Sequence, residues 1–263
     1  MSFHYNILQM TIDDFEDLLI NDWLWRKREI SDLILIAEQT ENPVIYKSFL
    51  LLLYAHWEGY VKKSCKSYLY YLSKSNFKFC DLTDNFKAIL MKEMGKVLDS
   101  SKYKLTIENE MQFINKLDGL STLKVSKKLK IDLHNEKDKS YINTQDNLST
   151  NVLKNILNLV GLEYKDQYDL KKSLIDIKFV GNRNSIGHGN LEIDEEDFAM
   201  EIVTMKKLRD IVVLILEALR DELIEFVRNQ YFLSRKSVDR GACVQKYNEQ
   251  LKLGFKEIES RFS

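Results

Sequence analysis

A single proline in 263 residues, beside only nine glycines, most constrains how this chain folds. Antiparallel β folds reverse direction every few residues and need turn formers at each reversal. Long helices joined by short polar connections do not. Hydrophobic residues make up 44% and charged residues 30%, enough to bury a sizeable core. The fold class expected is all-α, in one large domain or a core domain with appendages.

The first helix is expected to open near Thr11, whose hydroxyl can cap the free amides of the first turn. Asp13 and Asp14 favour its dipole. It runs, with a break expected around Asn21, to about Glu38, and places Ile30, Leu33, Ile34 and Ala37 on one stripe. Asn42 and Pro43 mark the clearest start, a cap followed by proline at the first helical position. From there one helix is predicted to about Ser73, with an apolar middle from Phe49 to Tyr54 that reads as a central buried element. Further amphipathic helices are predicted over Thr83–Asp99 and Thr106–Leu117. Residues 121–148 are polar, Lys-rich and weakly periodic, and read as a loop or mobile insertion. Helical signal returns at Ser149 and stops at Gly161. It resumes over roughly Asp169–Gly187, and again over Asp194–Phe232. A tail over 233–263 holds one weaker amphipathic stretch, with Val244, Tyr247, Leu251, Phe255 and Ile258.

The net charge of -1 gives no global attraction to nucleic acid, so any such contact must use a local patch. Cys65, Cys80 and Cys243 are scattered and odd in number, which reads as free thiols in a reducing compartment. The start of the chain has no basic segment followed by an apolar run, and the apolar stretch Phe49–Ala55 is far short of the roughly 20 residues of a span. A cytoplasmic protein without membrane contact is expected. No His, Cys or carboxylate cluster has zinc spacing, so no metal and no cofactor are expected.

Residues 180–190, VGNRNSIGHGN, bring an arginine, an asparagine and a histidine together at a helix end. Gly187 and Gly189 flank the histidine and can end the helix in a left-handed conformation. On a regular helix Asn184 and His188 share a face, whereas Arg183 and His188 point roughly 140° apart. The pair therefore converges only if the helix ends near Gly187, or if a second copy completes the site. Glu58 follows Trp57 in an apolar helix and needs a partner, either an imidazole or arginine in the cleft or a structural ion pair. His56 reads as a satisfied core histidine. Lys124, Lys127, Lys128 and Lys130 read as a solvated loop face or as a grip on a nucleic-acid backbone.

The string R-N-S-I-G-H-G resembles the R-x(4–6)-H signature of the HEPN family, with Arg183 and His188 in the signature places and Asn184 in the polar place after the arginine. Two further strings, Leu53 to Gly59 and Asn147 to Leu162, resemble the RiboL-PSP branch of HEPN and precede the signature in the expected order. The resemblance covers roughly residues 20–230. It implies a bundle of long antiparallel helices over residues 1–232, interrupted by the polar insertion at about 121–148 and followed by the helical tail. It also implies a homodimer that joins two signatures in one cleft, and a metal-independent endoribonuclease of phage defence or toxin–antitoxin systems. Arg183, Asn184, His188 and Glu58 are then the catalytic candidates. RNA is the substrate, and a cognate antitoxin or defence-module protein the partner class. The alternative is a non-catalytic HEPN scaffold that binds RNA or protein.

Overall fold

The computed structural model describes residues 10–40, 42–89, 91, 106–120, 122–135, 141–189 and 202–262. Helix α1 spans Ile12–Thr40 and α2 spans Pro43–Ser73. Helix α3 spans Glu108–Leu120, α4 Thr150–Val160, α5 Asn182–Gly187, α6 Ile202–Arg228 and α7 Ser237–Arg261. Residues 84–89 are also helical, and single helical turns lie at Val125–Lys128 and Asp166–Asp169. The fold is all-α. The described residues hold two isolated antiparallel bridges, Lys78 with Lys124 and Leu82 with Leu233. No described helix is long and apolar enough to cross a membrane.

The helix starts follow the chemistry of their caps. The Thr11 hydroxyl accepts from the Asp14 amide, while the Asp14 carboxylate accepts from the Thr11 amide and hydroxyl, a reciprocal box that closes the first turn. Asn42 Oδ1 accepts from the Val44 amide at 2.8 Å. Ser149 caps α4, which ends at Gly161 with φ of 78° and the Leu162 amide bonded back to Leu157. Helix α1 continues through Asn21 without the expected break, because Leu19, Asp22 and Trp23 are buried there against the bundle.

Helix directions can be read from the contacts. Along α1 and α2, Phe15 meets Tyr68, Trp23 meets Tyr60 and Arg26 meets His56, so the two helices run antiparallel. Along α1 and α6, Glu16 pairs with Arg228, Lys27 with Glu217 and Glu38 with Lys206, again antiparallel. Helix α7 returns along α6, pairing Lys246 with Glu225 and Arg261 with Asp210. Its buried stripe is Cys243, Tyr247, Leu251, Phe255 and Ile258, with Cys243 and not Val244 turned inward. The described part of the 121–148 segment is mostly irregular, yet Val125, Leu129, Ile131, Ile142, Thr144 and Leu148 are buried, so it is anchored to the bundle. Val97, Leu98, Asp194 and Phe198, expected in helices, lie outside the described residues, as does His4.

Between α4 and α6 the Lys165 ammonium meets the Glu222 carboxylate, with side chains only 1% and 2% exposed. Lys165 also donates to the Glu163 carbonyl. Burial raises the Glu222 carboxyl above its usual value, and the lysine opposes that rise. Removing one partner leaves an uncompensated buried charge, which costs about 3–5 kcal/mol, whereas replacing both by apolar groups is close to neutral. Lys165→Met alone is therefore expected to lower stability by about that amount, and Lys165→Met with Glu222→Leu to recover most of it. Urea midpoints of the three proteins measure this. A single substitution as stable as the wild type would show that the pair is not needed.

Candidate active site

The polypeptide reaches Arg183 through an unusual winding. Ser173–Gly181 forms a π-helix, which tightens into α5 at Asn182. Inward apolar residues at 175, 179 and 180 fit this wider turn better than a regular helix, and Ile175, Phe179 and Val180 are buried. Such windings are rare and cluster at functional sites. The segment is tied down by Asp176, whose carboxylate accepts from the Thr150 amide and hydroxyl at 2.7 Å each. The Phe179 ring stands edge-on to Tyr54, with centroids 5.8 Å apart.

Tyr54 is the platform of the site. Its ring lies under the Arg183 guanidinium, whose central carbon is 4.1 Å from the ring centroid. That is close range for a cation over an aromatic face. The phenol oxygen accepts from the Leu148 amide at 2.7 Å. Burial pushes the phenol up to about 12, and the nearby Glu58 charge adds to this against the opposing effect of the Leu148 amide and Arg183. Tyr54 therefore stays a neutral phenol at ordinary pH, and it offers an aromatic face to the arginine and no negative charge.

The guanidinium is then aimed by three neighbours. Arg183 Nη1 donates to Asn184 Oδ1 at 2.8 Å and to the Asp146 carbonyl at 3.4 Å, while Asn184 Nδ2 donates to Asn147 Oδ1 at 3.4 Å. Among the described residues Arg183 Nη2 and Nε have no hydrogen-bond acceptor. Asp146 and Asn147 belong to a tight turn closed by the Asn147 amide on the Thr144 carbonyl at 3.1 Å. Its two central residues, Gln145 and Asp146, have φ of 56° and 55°. That left-handed geometry is tolerated by Asp but strained for Gln, by about 1 kcal/mol or more. The strain is held in place from below, where the buried Thr144 hydroxyl donates to Glu58.

The sequence-selected residues are thus partly brought together. Arg183 and Asn184 touch each other. Glu58 braces the turn that receives Arg183, and among the described residues it makes no contact with the arginine or with His188. Helix α5 ends at Gly187, and Gly189 takes φ of 68°. His188 is exposed, its amide bonded to the Asn184 carbonyl at 3.0 Å, and its imidazole has no partner among the described residues. Among the described residues no hydrogen bond or ion pair joins Arg183 to His188 within one chain. Lys124, Lys127, Lys128 and Lys130 are elsewhere. Their helical turn and its flank pack against the far end of α2, where Ser126, Leu129 and Lys130 share a cleft with Ser73 and Lys74.

Tyr54, Asp146 and Asn147 were not singled out from sequence. The N-T-Q-D-N run at 143–147 carries a turn signal, but nothing local ties it to a helix about ninety residues away. His56 is buried. Its Nδ1 lies 3.4 Å from Arg26 Nη1, and its Nε2 lies 3.2 Å from Glu29 Oε2, off the line of a hydrogen bond. Burial, with the Arg26 charge, lowers its basicity. All three cysteines are free thiols, and burial pushes Cys65 and Cys243 up to about 12. Among the described residues no group of three or more His, Cys, Asp or Glu is placed to hold a metal ion.

No curated protein and no solved structure matches the chain. One family model does, over residues 15–232, from the start of α1 past the end of α6. Its description, MAE_28990-like HEPN, agrees with the superfamily expected from the sequence and carries the RiboL-PSP resemblance no further than that level. This match covers the helical bundle and the whole of the Tyr54–Arg183 arrangement, and the chain belongs to the MAE_28990-like HEPN family.

Proposed function

We propose that the protein is a metal-independent endoribonuclease acting at Arg183, Asn184 and His188. The observation that carries this reading is the Arg183 guanidinium, laid on Tyr54 and tied on one edge by Asn184 and Asp146. An arginine that only closed a helix end would bond that helix's own last carbonyls. This one is braced from another element, and among the described residues its other edge has no acceptor, which suits two-point recognition of a phosphate.

The chemistry needs few groups. The ribose 2′-oxygen attacks the adjacent phosphorus as a base takes its proton. The bond from phosphorus to the 5′-oxygen breaks as that oxygen is protonated. The products are a 2′,3′-cyclic phosphate and a 5′-hydroxyl. The nucleophile is internal to the substrate, so no activated water is required. Arg183 holds the phosphoryl oxygens as charge builds on them. An imidazole can both accept and donate a proton, which suits His188 to either proton transfer. Asn184 keeps the guanidinium aimed.

Because Arg183 and His188 would point roughly 140° apart on a regular helix, the reading includes a homodimer in which His188 of one subunit approaches Arg183 of the other across a two-fold axis. Leu51 on α2 and Ile177 on the π-helix are 37% and 67% exposed, on the elements that carry Tyr54 and Arg183, and a second copy would cover them. Helix α6 is a poorer candidate for that face, since its apolar side is spent against α1, α2 and α7. A toxin or defence effector is the biological setting the activity suits, with a neutralising or defence-module protein as partner. The second reading is a non-catalytic scaffold binding RNA or protein, which the family match fits equally well.

Purified protein is expected to cut single-stranded RNA in EDTA and leave cyclic phosphate ends. Arg183→Ala should slow cleavage about 100–1000-fold and His188→Ala about 100–10000-fold, with unchanged thermal unfolding. A strict magnesium requirement with 5′-phosphate products would contradict the mechanism. Full activity in both variants would show that the cut is made elsewhere, and binding of RNA without cleavage by the wild type would favour the scaffold.

Mixing tests the shared cleft separately. Arg183→Ala chains and His188→Ala chains, each inactive alone, should regain part of the wild-type rate when combined, because one of the two clefts of the heterodimer is then intact. A mixture as inactive as its components would argue against a composite site.

A further inference from the structure

At the C-terminal end of α2, six lysines come together from two stretches, 74–78 and 124–130: Lys74, Lys78, Lys124, Lys127, Lys128 and Lys130. No acidic side chain among the described residues pairs with any of them, although the chain as a whole is slightly negative. Lys78 and Lys124 are directly opposite in an antiparallel bridge. Flanking bonds run from the Phe79 amide to the Leu123 carbonyl and from the Val125 amide to the Phe77 carbonyl. This pattern makes them a non-hydrogen-bonded pair, the position where cross-strand side chains come closest, and like charges there are destabilising. Both side chains are exposed. An anion lying between them would turn that repulsion into binding.

Two clefts flank the lysines and share Lys74. One, of about 320 Å³, is lined by Tyr71, Phe77, Ser75, Asn76 and Met10 as well as Lys74. The other, of about 340 Å³, joins Lys74 to Lys130, Ser73, Ser126 and a single carboxylate, Asp132. Tyr71 and Phe77 are half-buried rings backed by Phe232, with centroids 6.5 Å and 5.2 Å from it, so their orientation is fixed while part of each ring faces the cleft. Lys74 Nζ also lies 4.9 Å from the Tyr70 ring. Lys130 Nζ donates to the Ser126 carbonyl at 2.9 Å and keeps its charge. Rigid aromatic rings interleaved with lysines that no described carboxylate neutralises form the arrangement that binds an unpaired strand, with bases on the rings and phosphates on the ammonium groups. A duplex keeps its bases stacked and could use only the lysines.

We infer that this end of the bundle is a groove for single-stranded RNA, separate from the Arg183 site. The inference rests on the ribonuclease reading for its biological sense, since the groove would hold the substrate upstream or downstream of the cut. Tyr54 and Lys74 are twenty residues apart along α2, about 30 Å at the helical rise. At about 3.4 Å per nucleotide for a stacked strand, some nine nucleotides separate the two places. A strand that stays stacked and is shorter than that cannot occupy both.

The experiment compares RNAs of about four and about twenty nucleotides, following the length argument above. Binding is measured with Arg183→Ala protein, which does not consume the RNA, and cleavage with wild-type Arg183. Lys78→Gln with Lys124→Gln and Lys130→Gln should weaken binding of the long RNA about tenfold or more and flatten its salt dependence by about two units of slope. Cleavage of the short RNA should not change. Thermal unfolding should not fall, because the Lys78–Lys124 repulsion is relieved. Tyr71→Leu should weaken the unpaired strand and spare a duplex of equal length. Long-RNA affinity unaltered by the lysine changes would overturn the groove, as would equal losses for duplex and single strand. Lysine-dependent capture of anionic lipid vesicles without RNA binding would overturn it in favour of a membrane surface. If no RNA is cut but binding still depends on these lysines and on Tyr71, the ribonuclease reading fails and the groove stands.

Discussion

Helix α2 is apolar on nearly every side from Phe49 to Tyr54, and the rest of the bundle is disposed to cover it. Helices α1 and α6 take one side, where Trp23, Tyr60 and Tyr68 are fully buried. The 144–148 turn and the π-helix take the other. The Trp57 indole donates to the Leu148 carbonyl at 2.9 Å, and the Tyr54 phenol accepts from the amide of the same residue. A residue outside regular structure is therefore held by both of its backbone polar groups, which satisfies in the core what would otherwise be two stranded donors and acceptors. Tyr54 belongs at once to the core, at 2% exposure, and to the site.

That double role explains how a short exposed helix end can present an ordered arginine. A long side chain at a helix terminus ordinarily samples many rotamers, and binding a phosphate would then have to restrict them. Here Arg183 rests on a ring fixed by the core, and its neighbour Asn184 bonds both the guanidinium and the turn. The turn itself is strained at Gln145 and is braced by Thr144 on Glu58. Backbone strain kept by surrounding structure is a common mark of a pre-organised site. Glu58 thus acts two contacts away from the arginine.

Much of the bundle was legible in local signals. The Thr11 box, the Asn42–Pro43 start and the Gly161 stop each depend on residues within one turn of each other, so a single stretch of sequence contains the whole cause. The π-helix was not, because the spacing of Ile175, Phe179 and Val180 is close enough to a regular helix to pass for one. The same limit applies to the 121–148 segment. Its polar composition is real, but the burial of Ile142, Thr144 and Leu148 comes from contacts with α2 that lie far away in the chain. At the candidate site, Arg183, Asn184 and His188 were singled out from their spacing, and the structure places the Asn184 amide oxygen against the arginine. Tyr54 lay inside a quoted string and still gave no sign of its role, since an aromatic in an apolar helix usually means core alone.

The central claim is that Tyr54 works through Arg183, and a double-mutant cycle on RNA cleavage tests it most directly. The four proteins are the wild type, Tyr54→Leu, Arg183→Ala and the double variant, compared by single-turnover rate under conditions where each remains folded. The account predicts that Tyr54→Leu alone slows cleavage at least about tenfold, yet produces no further loss once Arg183 is alanine. Losses that simply multiply would show that the ring and the arginine act independently, and would contradict the account.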